Sequence, residues 1–149
     1  MTLKHPDTSV DFHVSPAYFV GDFDIYDRED CLGEYLNQYD PNNKNELHKL
    51  LREKFFGGAR VGKLTPEHKA ELMRVLIDAL KTKDYDFDSI LSHEREPDDY
   101  FTLPWDWEFV RPRYFFEEVY RLACELWESE LSSIGNKLPN LSELDITNN

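Results

Sequence analysis

PRYFFEEVYRLACELWESELSSIGN, residues 112–136, repeats large apolar side chains at helical spacing: Phe115, Phe116, Val119, Tyr120, Ala123, Leu126, Trp127, Leu131 and Ile134. Residues three and four apart share a helix face, so this stripe predicts one amphipathic helix of about six turns. Pro112 stands where a helix can begin, and Gly135-Asn136 closes it with a residue that tolerates left-handed backbone. An aromatic stripe of this length needs several other elements to cover it.

Upstream, Thr65-Pro66-Glu67 reads as N-cap, first helical residue and first-turn acid. The helix it opens carries Leu72, Met73, Leu76, Ile77 and Leu80 on one face and runs to about Thr82. Leu47, Leu50, Leu51 and Phe55 continue a helix after the Asn-rich turn PNNKN, with Gly57-Gly58 predicted to end it in left-handed geometry. Leu32, Tyr35, Leu36 and Tyr39 predict another, from near Asp27 to just before Asp40-Pro41, and Phe87, Ile90 and Leu91 a short one over 86–92. Val10, Phe12 and Val14 alternate with Asp11 and His13, the pattern of a short half-buried strand, and the adjoining stretch 17–26 reads as a second extended segment. The fold class is therefore mainly α, with α+β open: a compact single domain, residues 1–149, of about five helices with a small N-terminal β element. Residues 1–9 and 137–149 are expected to be poorly ordered.

The chain has 149 residues, a length that commonly makes one domain and buries roughly two-thirds of its unfolded surface. Ten Phe, eight Tyr and three Trp supply too many core formers for a disordered acidic chain. The formal charge is −13, a sign that a nucleic-acid duplex repels, which excludes binding by general phosphate attraction. Cys31 and Cys124 are too few for a disulfide framework or a four-cysteine zinc site and read as reduced thiols. The N-terminal stretch has no apolar run of secretory length and no span of about 18 apolar residues occurs, so a cytoplasmic protein without a membrane span is expected.

The charge is uneven. Between Asp84 and Glu108 stand nine acids, Asp84, Asp86, Asp88, Glu94, Glu96, Asp98, Asp99, Asp106 and Glu108, against Arg95 alone. Such a run faces water or a positive partner, because an unpaired carboxylate is costly to bury. Tyr100, Phe101, Trp105 and Trp107 share the stretch. Acids that steer a basic partner and aromatics that anchor it by burial are what an interface needs. The candidate partner-binding residues are these nine acids with Tyr100, Trp105 and Trp107; the alternate spacing of the two tryptophans lets one point inward and one outward.

Catalytic and cofactor chemistry finds no such concentration. The five histidines lack metal-ligand spacing, and Asp84, Asp86 and Asp88 lack the glycine and the twelfth-position glutamate of a calcium loop. FFGGARVGK fails as a phosphate loop because Leu64 follows Lys63 where Ser or Thr is required. Glu117 and Glu118 lack the Glu-x-x-His partners of a carboxylate-bridged metal site, and read as acids favoured by the start of their helix. No serine elbow occurs, and Cys31 has acids rather than bases around it. The expectation is no enzyme, no cofactor and no metal.

Phe55-Phe56-Gly57-Gly58-Ala59-Arg60 with Leu64-Thr65-Pro66, and Leu103-Pro104-Trp105-Asp106-Trp107-Glu108 followed by the Phe115-Phe116 helix, give the chain a further character. Over roughly half its length it resembles the immunity proteins of bacterial contact-dependent growth-inhibition and other polymorphic toxin systems. The resemblance implies a cytoplasmic antitoxin that binds one cognate toxin domain and blocks its active site. Many such toxins are nucleases with basic grooves, which the acids of 84–108 would enter as a charge mimic. The implied partner is a basic toxin domain bound one to one by a monomeric inhibitor, with no nucleic acid or membrane bound directly. The alternative is an acidic adaptor or regulatory module that binds a protein without inhibiting it.

Overall fold

The computed structural model describes residues 3–25, 28–91, 103–104 and 107–146. Its helices are α1 (Glu34–Leu36), α2 (Lys44–Leu50), α3 (Ala59–Gly62), α4 (Pro66–Lys81), α5 (Asp88–Leu91), α6 (Pro112–Leu126) and α7 (Glu128–Ser133), with 3-10 turns over Pro16–Phe23 and Leu141–Leu144. The protein is mainly α, and its apolar residues form one core.

Helix α6 lies at the centre. Residues 115–120 are buried without a break, because α2, α4, α5, α7 and the Pro16–Phe23 turn all pack on it. The predicted six-turn helix is two helices. At Trp127 the backbone leaves regular helix geometry (φ −109°, ψ −2°), and α7 departs on a new course. The change seats the Trp127 ring against Phe56 and Phe55, at centroid distances of 5.2 and 6.2 Å. It also leaves Leu126 and Ile134, both assigned to the stripe, exposed at 41% and 40%.

Helix α4 begins as its sequence predicts, and Thr65 Oγ1 accepts a hydrogen bond from the His68 amide. Here His68 stands where a capping box usually has Glu or Gln: its Nδ1 accepts from the Thr65 amide at 3.2 Å. Leu72, Met73, Leu76 and Leu80 are buried and Ile77 is half-buried. Asn43 caps α2 by accepting from the Glu46 amide. The helix then widens into a π-helical run, Leu51–Phe56, whose end is marked by a hydrogen bond from the Gly57 amide to the Arg52 carbonyl at 2.8 Å. Gly57 and Gly58 terminate it for a reason other than the predicted left-handed turn, since Gly57 has φ −94° and Gly58 φ −78°. A Cβ at these positions would stand 2.7 Å from the Arg52 carbonyl oxygen and 2.5 Å from that of Lys54. Gly135 does take left-handed backbone, at φ 75°.

The N-terminal β element is not formed among the described residues. A single antiparallel bridge joins Lys4 and Asp11. Val10 is 61% exposed, so the alternation buries only Phe12, whose ring sits between His5 and His68 at 4.8 Å from each. The segment predicted to be extended is instead the 3-10 turn Pro16–Phe23. Its buried residues Pro16, Phe19, Val20 and Phe23 follow helical spacing. In place of the long helix predicted from near Asp27, a wide turn, Glu29–Gly33, precedes one turn of α1.

The described residues of both terminal segments make contacts with the body of the fold. Lys4 is tied to α4 through its carbonyl and His68 Nε2. At the other end Leu144 and Ile146 are core residues, and Arg113 Nη2 donates to the Leu144 carbonyl. Among the described residues no helix is long and apolar enough to cross a membrane.

Candidate functional site

At its described ends the acidic segment is tied to the core by Phe87 and Leu91 on one side and Leu103 and Trp107 on the other, and one chain of aromatic rings joins Phe87 to Trp107. Phe87 stacks on Phe116 at 4.8 Å, Phe116 meets Phe115 at 5.2 Å, and Phe115 meets Phe109 at 6.0 Å. Phe109 lies 6.0 Å from Trp107, and Phe23 closes the chain by touching both Phe115 and Trp107. Burial of large rings in edge and stacked contacts is the strongest local anchor a chain of this composition can build.

Trp107 is thus a core residue, which corrects its assignment to the partner-contacting set. It is 1% exposed, and its indole N–H donates to the Leu36 carbonyl at 3.0 Å. The ring is buried with its one polar atom satisfied, and nothing of it remains for a partner to touch. Trp107 points inward; Glu94, Glu96, Asp98, Asp99, Tyr100, Trp105 and Asp106 lie outside the described residues.

The remaining predicted residues, Asp84, Asp86, Asp88 and Glu108, are all exposed. Asp84 stands in left-handed backbone at φ 60°, and Asp86 Oδ1 accepts from the Ser89 amide, which starts α5. Burial, reinforced by the neighbouring Asp86 charge, holds the Tyr85 hydroxyl above its ordinary range. At the far end the structure adds residues that sequence reasoning missed. Asp40, Glu46 and Glu108 line one open cleft of about 410 Å³ with Asn37, Gln38 and Asn42. Asn42 braces it: its side-chain amide donates to the Glu108 carbonyl and its Oδ1 accepts from the Val110 amide at 3.0 Å. Asp40 Oδ1 accepts from the Asn42 amide, and Glu46 Oε1 from that of Asp40. The signal was present in DPNN, a turn between two helices beside Glu46, yet nothing in the sequence pairs residue 42 with residues 108 and 110. Among the described residues no Lys, Arg or His forms an ion pair with Asp40, Glu46, Asp84, Asp86, Asp88 or Glu108.

Two other carboxylates have the opposite surroundings. Glu117 and Glu118 are 5% and 2% exposed, although the sequence suggested acids at a helix start. Glu117 accepts from Arg113 Nε at 2.8 Å and from Arg111 at 3.2 Å. Glu118 accepts from His48 Nε2 at 2.7 Å and from Arg121 Nε at 3.2 Å. Ion pairing, not the helix dipole, makes their burial tolerable.

Among the described residues no group of three or more His, Cys, Asp or Glu is placed to hold a metal ion. Cys31 and Cys124 are free thiols, and burial raises that of Cys124 above its ordinary range. Fold and site together define a small helical domain whose described acidic-segment carboxylates, Asp84, Asp86, Asp88 and Glu108, are exposed beside the buried anchors Phe87 and Trp107. No family model, curated protein or solved structure matches the chain.

Proposed function

We propose that this is a cytoplasmic, non-catalytic binding protein of the immunity type, a monomer that neutralises one basic toxin domain, in particular a nuclease, by presenting carboxylates to its groove. The observation that carries the reading is the set of exposed carboxylates at both ends of the 84–108 segment that no described cation neutralises, held on a rigid ring of buried aromatics. A pre-organised acidic surface attracts a basic partner over distances of a Debye length and loses little entropy on docking. A nuclease groove shaped for phosphate offers the matching sign of charge.

The test is co-expression with the C-terminal domain of the protein encoded immediately upstream, with growth as readout and calorimetry on the purified pair. Protection with one-to-one binding in the nanomolar range, about −12 kcal/mol, is the expected result. Replacing Asp40, Asp84 and Glu108 together by Asn, Asn and Gln should slow association at low salt and make its rate less dependent on salt. Binding without protection would assign an adaptor role instead, and absence of binding would overturn the reading.

A further inference from the structure

On a neighbouring face of α2, Asn45, His48, Lys49, Arg52 and Glu53 line an open groove of about 550 Å³. His48 is the residue of interest there. Its Nε2 is held by Glu118, whose side chain is 2% exposed, while the His48 side chain is 17% exposed. The carboxylate is fixed in turn by Arg121. Among the described residues His48 Nδ1 has no hydrogen-bond partner, and it is not closed off from solvent. A buried carboxylate that sets the orientation of an imidazole and leaves the other ring nitrogen open is the arrangement by which proteins prepare histidine for a ligand. Stability gives no reason for it, because a buried ionic cluster is commonly no better than an apolar contact of the same volume.

A second, independent feature lies under the same groove. The helix changes from α to π between Leu50 and Leu51, so that Arg52 and Glu53 sit on the widened turn. Such π-helical turns are uncommon and recur at functional sites. Arg52 uses one nitrogen on Glu125 at 2.8 Å and retains its other donors, and its side chain is 47% exposed. Lys49 donates to the Tyr39 hydroxyl at 3.0 Å and keeps two N–H groups. Hydrogen bonding with Tyr35, followed by the bond from Lys49, pulls the Tyr39 hydroxyl below its ordinary range. The opposing carboxylates are occupied: Glu53 accepts from the Tyr35 hydroxyl at 2.6 Å, and Glu125 holds Arg52.

From these we infer that the α2 groove is a binding site for a phosphoryl oxyanion, with Lys49, Arg52 and the imidazolium form of His48, in which Nδ1 also carries a proton, as its donors. The site does not depend on the acidic surface, although Glu46 of the same helix lines that cleft. The donor set fits a small dianion, since two cations and an oriented imidazolium supply charge-assisted hydrogen bonds from adjacent turns of one helix.

The experiment tracks the His48 ring nitrogens by NMR in the full chain while inorganic phosphate is added, with sodium chloride at matched ionic strength as control. The expected result is a saturable shift of His48 in the millimolar range that chloride does not reproduce. In Arg52→Gln and Lys49→Gln, which leave the His48–Glu118 contact in place, the apparent affinity should fall about tenfold, as loss of one charge-assisted bond predicts. Unchanged His48 resonances in these variants before phosphate is added establish that the fold is intact. A shift that depends on ionic strength alone, or equal titration of parent and variants, would overturn the inference.

Discussion

Glu118 on α6 and Glu108 at the cleft are ten residues apart, and their carboxylates have opposite fates. The first is buried with His48 and Arg121 against it; the second faces water with no cation beside it among the described residues. The difference is one of compensation. A buried carboxylate must be paired in the native state, so its charge is used up internally, whereas an exposed one keeps its field for an external partner. In a chain with 30 acids, the uncompensated ones are where a basic partner is to be sought.

The comparison can be broken at its anchor first. Trp107→Ala should cost about 3–5 kcal/mol, because it empties a large core site and leaves the Leu36 carbonyl without its donor. Chemical denaturation measures it, and a loss below about 1 kcal/mol would mean that the acidic segment is not held by the ring chain. Glu118→Ala comes next, at about 3 kcal/mol, since the half-buried His48 and Arg121 would both lose the buried carboxylate they hold. The matched Glu108→Ala should change stability by less than about 0.5 kcal/mol, and equal effects at the two positions would erase the distinction.

Titration adds a test from the opposite face of α6, where Tyr120 and Cys124 lie one turn apart. Burial raises both the Tyr120 hydroxyl and the Cys124 thiol above their ordinary ranges. The unfolded chain therefore loses these protons before the native one does. Their contribution is fully present at neutral pH and is lost as pH rises from about 9 upward, by as much as about 1.4 kcal/mol per pH unit for each group. Denaturation midpoints measured from pH 7 to 10.5 should fall, and Tyr120→Phe should flatten the upper part of that fall. A midpoint that rises over this interval would contradict the assignment.

Smaller effects belong to the cleft. Asn42→Ala removes the brace between the turn and residues 108–110 and should cost about 1 kcal/mol, with faster amide exchange at Val110 as its local signature. The smallest change is expected when Asp40, Glu46 and Glu108 become Asn, Gln and Gln together. Stability should stay within about 0.5 kcal/mol of the parent or rise slightly as like charges are removed, while association with a basic partner slows. A large loss of stability in that variant would show that the cleft carboxylates are structural.

Much of this architecture was legible from spacing. Thr65-Pro66 and the Leu72, Met73, Leu76, Leu80 stripe placed α4 correctly, because capping and one-sided burial are local properties. The same reasoning misread Val10, Phe12 and Val14, since alternation makes a strand only where another strand is available to pair with it, and a single bridge forms there. It also overlooked helical spacing in Pro16, Phe19, Val20 and Phe23, and read 17–26 as an extended segment. For the candidate site, the exposure of Asp84, Asp86, Asp88 and Glu108 followed from charge density alone. The inward turn of Trp107 did not, because either tryptophan of the alternating pair satisfies the pattern.

What the sequence determined by itself is the helical class, the starts of α4 and α6, and the concentration of negative charge in one segment. These arise from interactions within a few residues of one another. The break at Trp127, the docking of the C-terminal tail through Leu144 and Ile146, the Asn42 brace and the division of carboxylates into paired and unpaired sets were decided by the tertiary structure. Each depends on contacts between residues distant in the chain, and a carboxylate carries the same charge in the sequence whether or not an arginine reaches it in space.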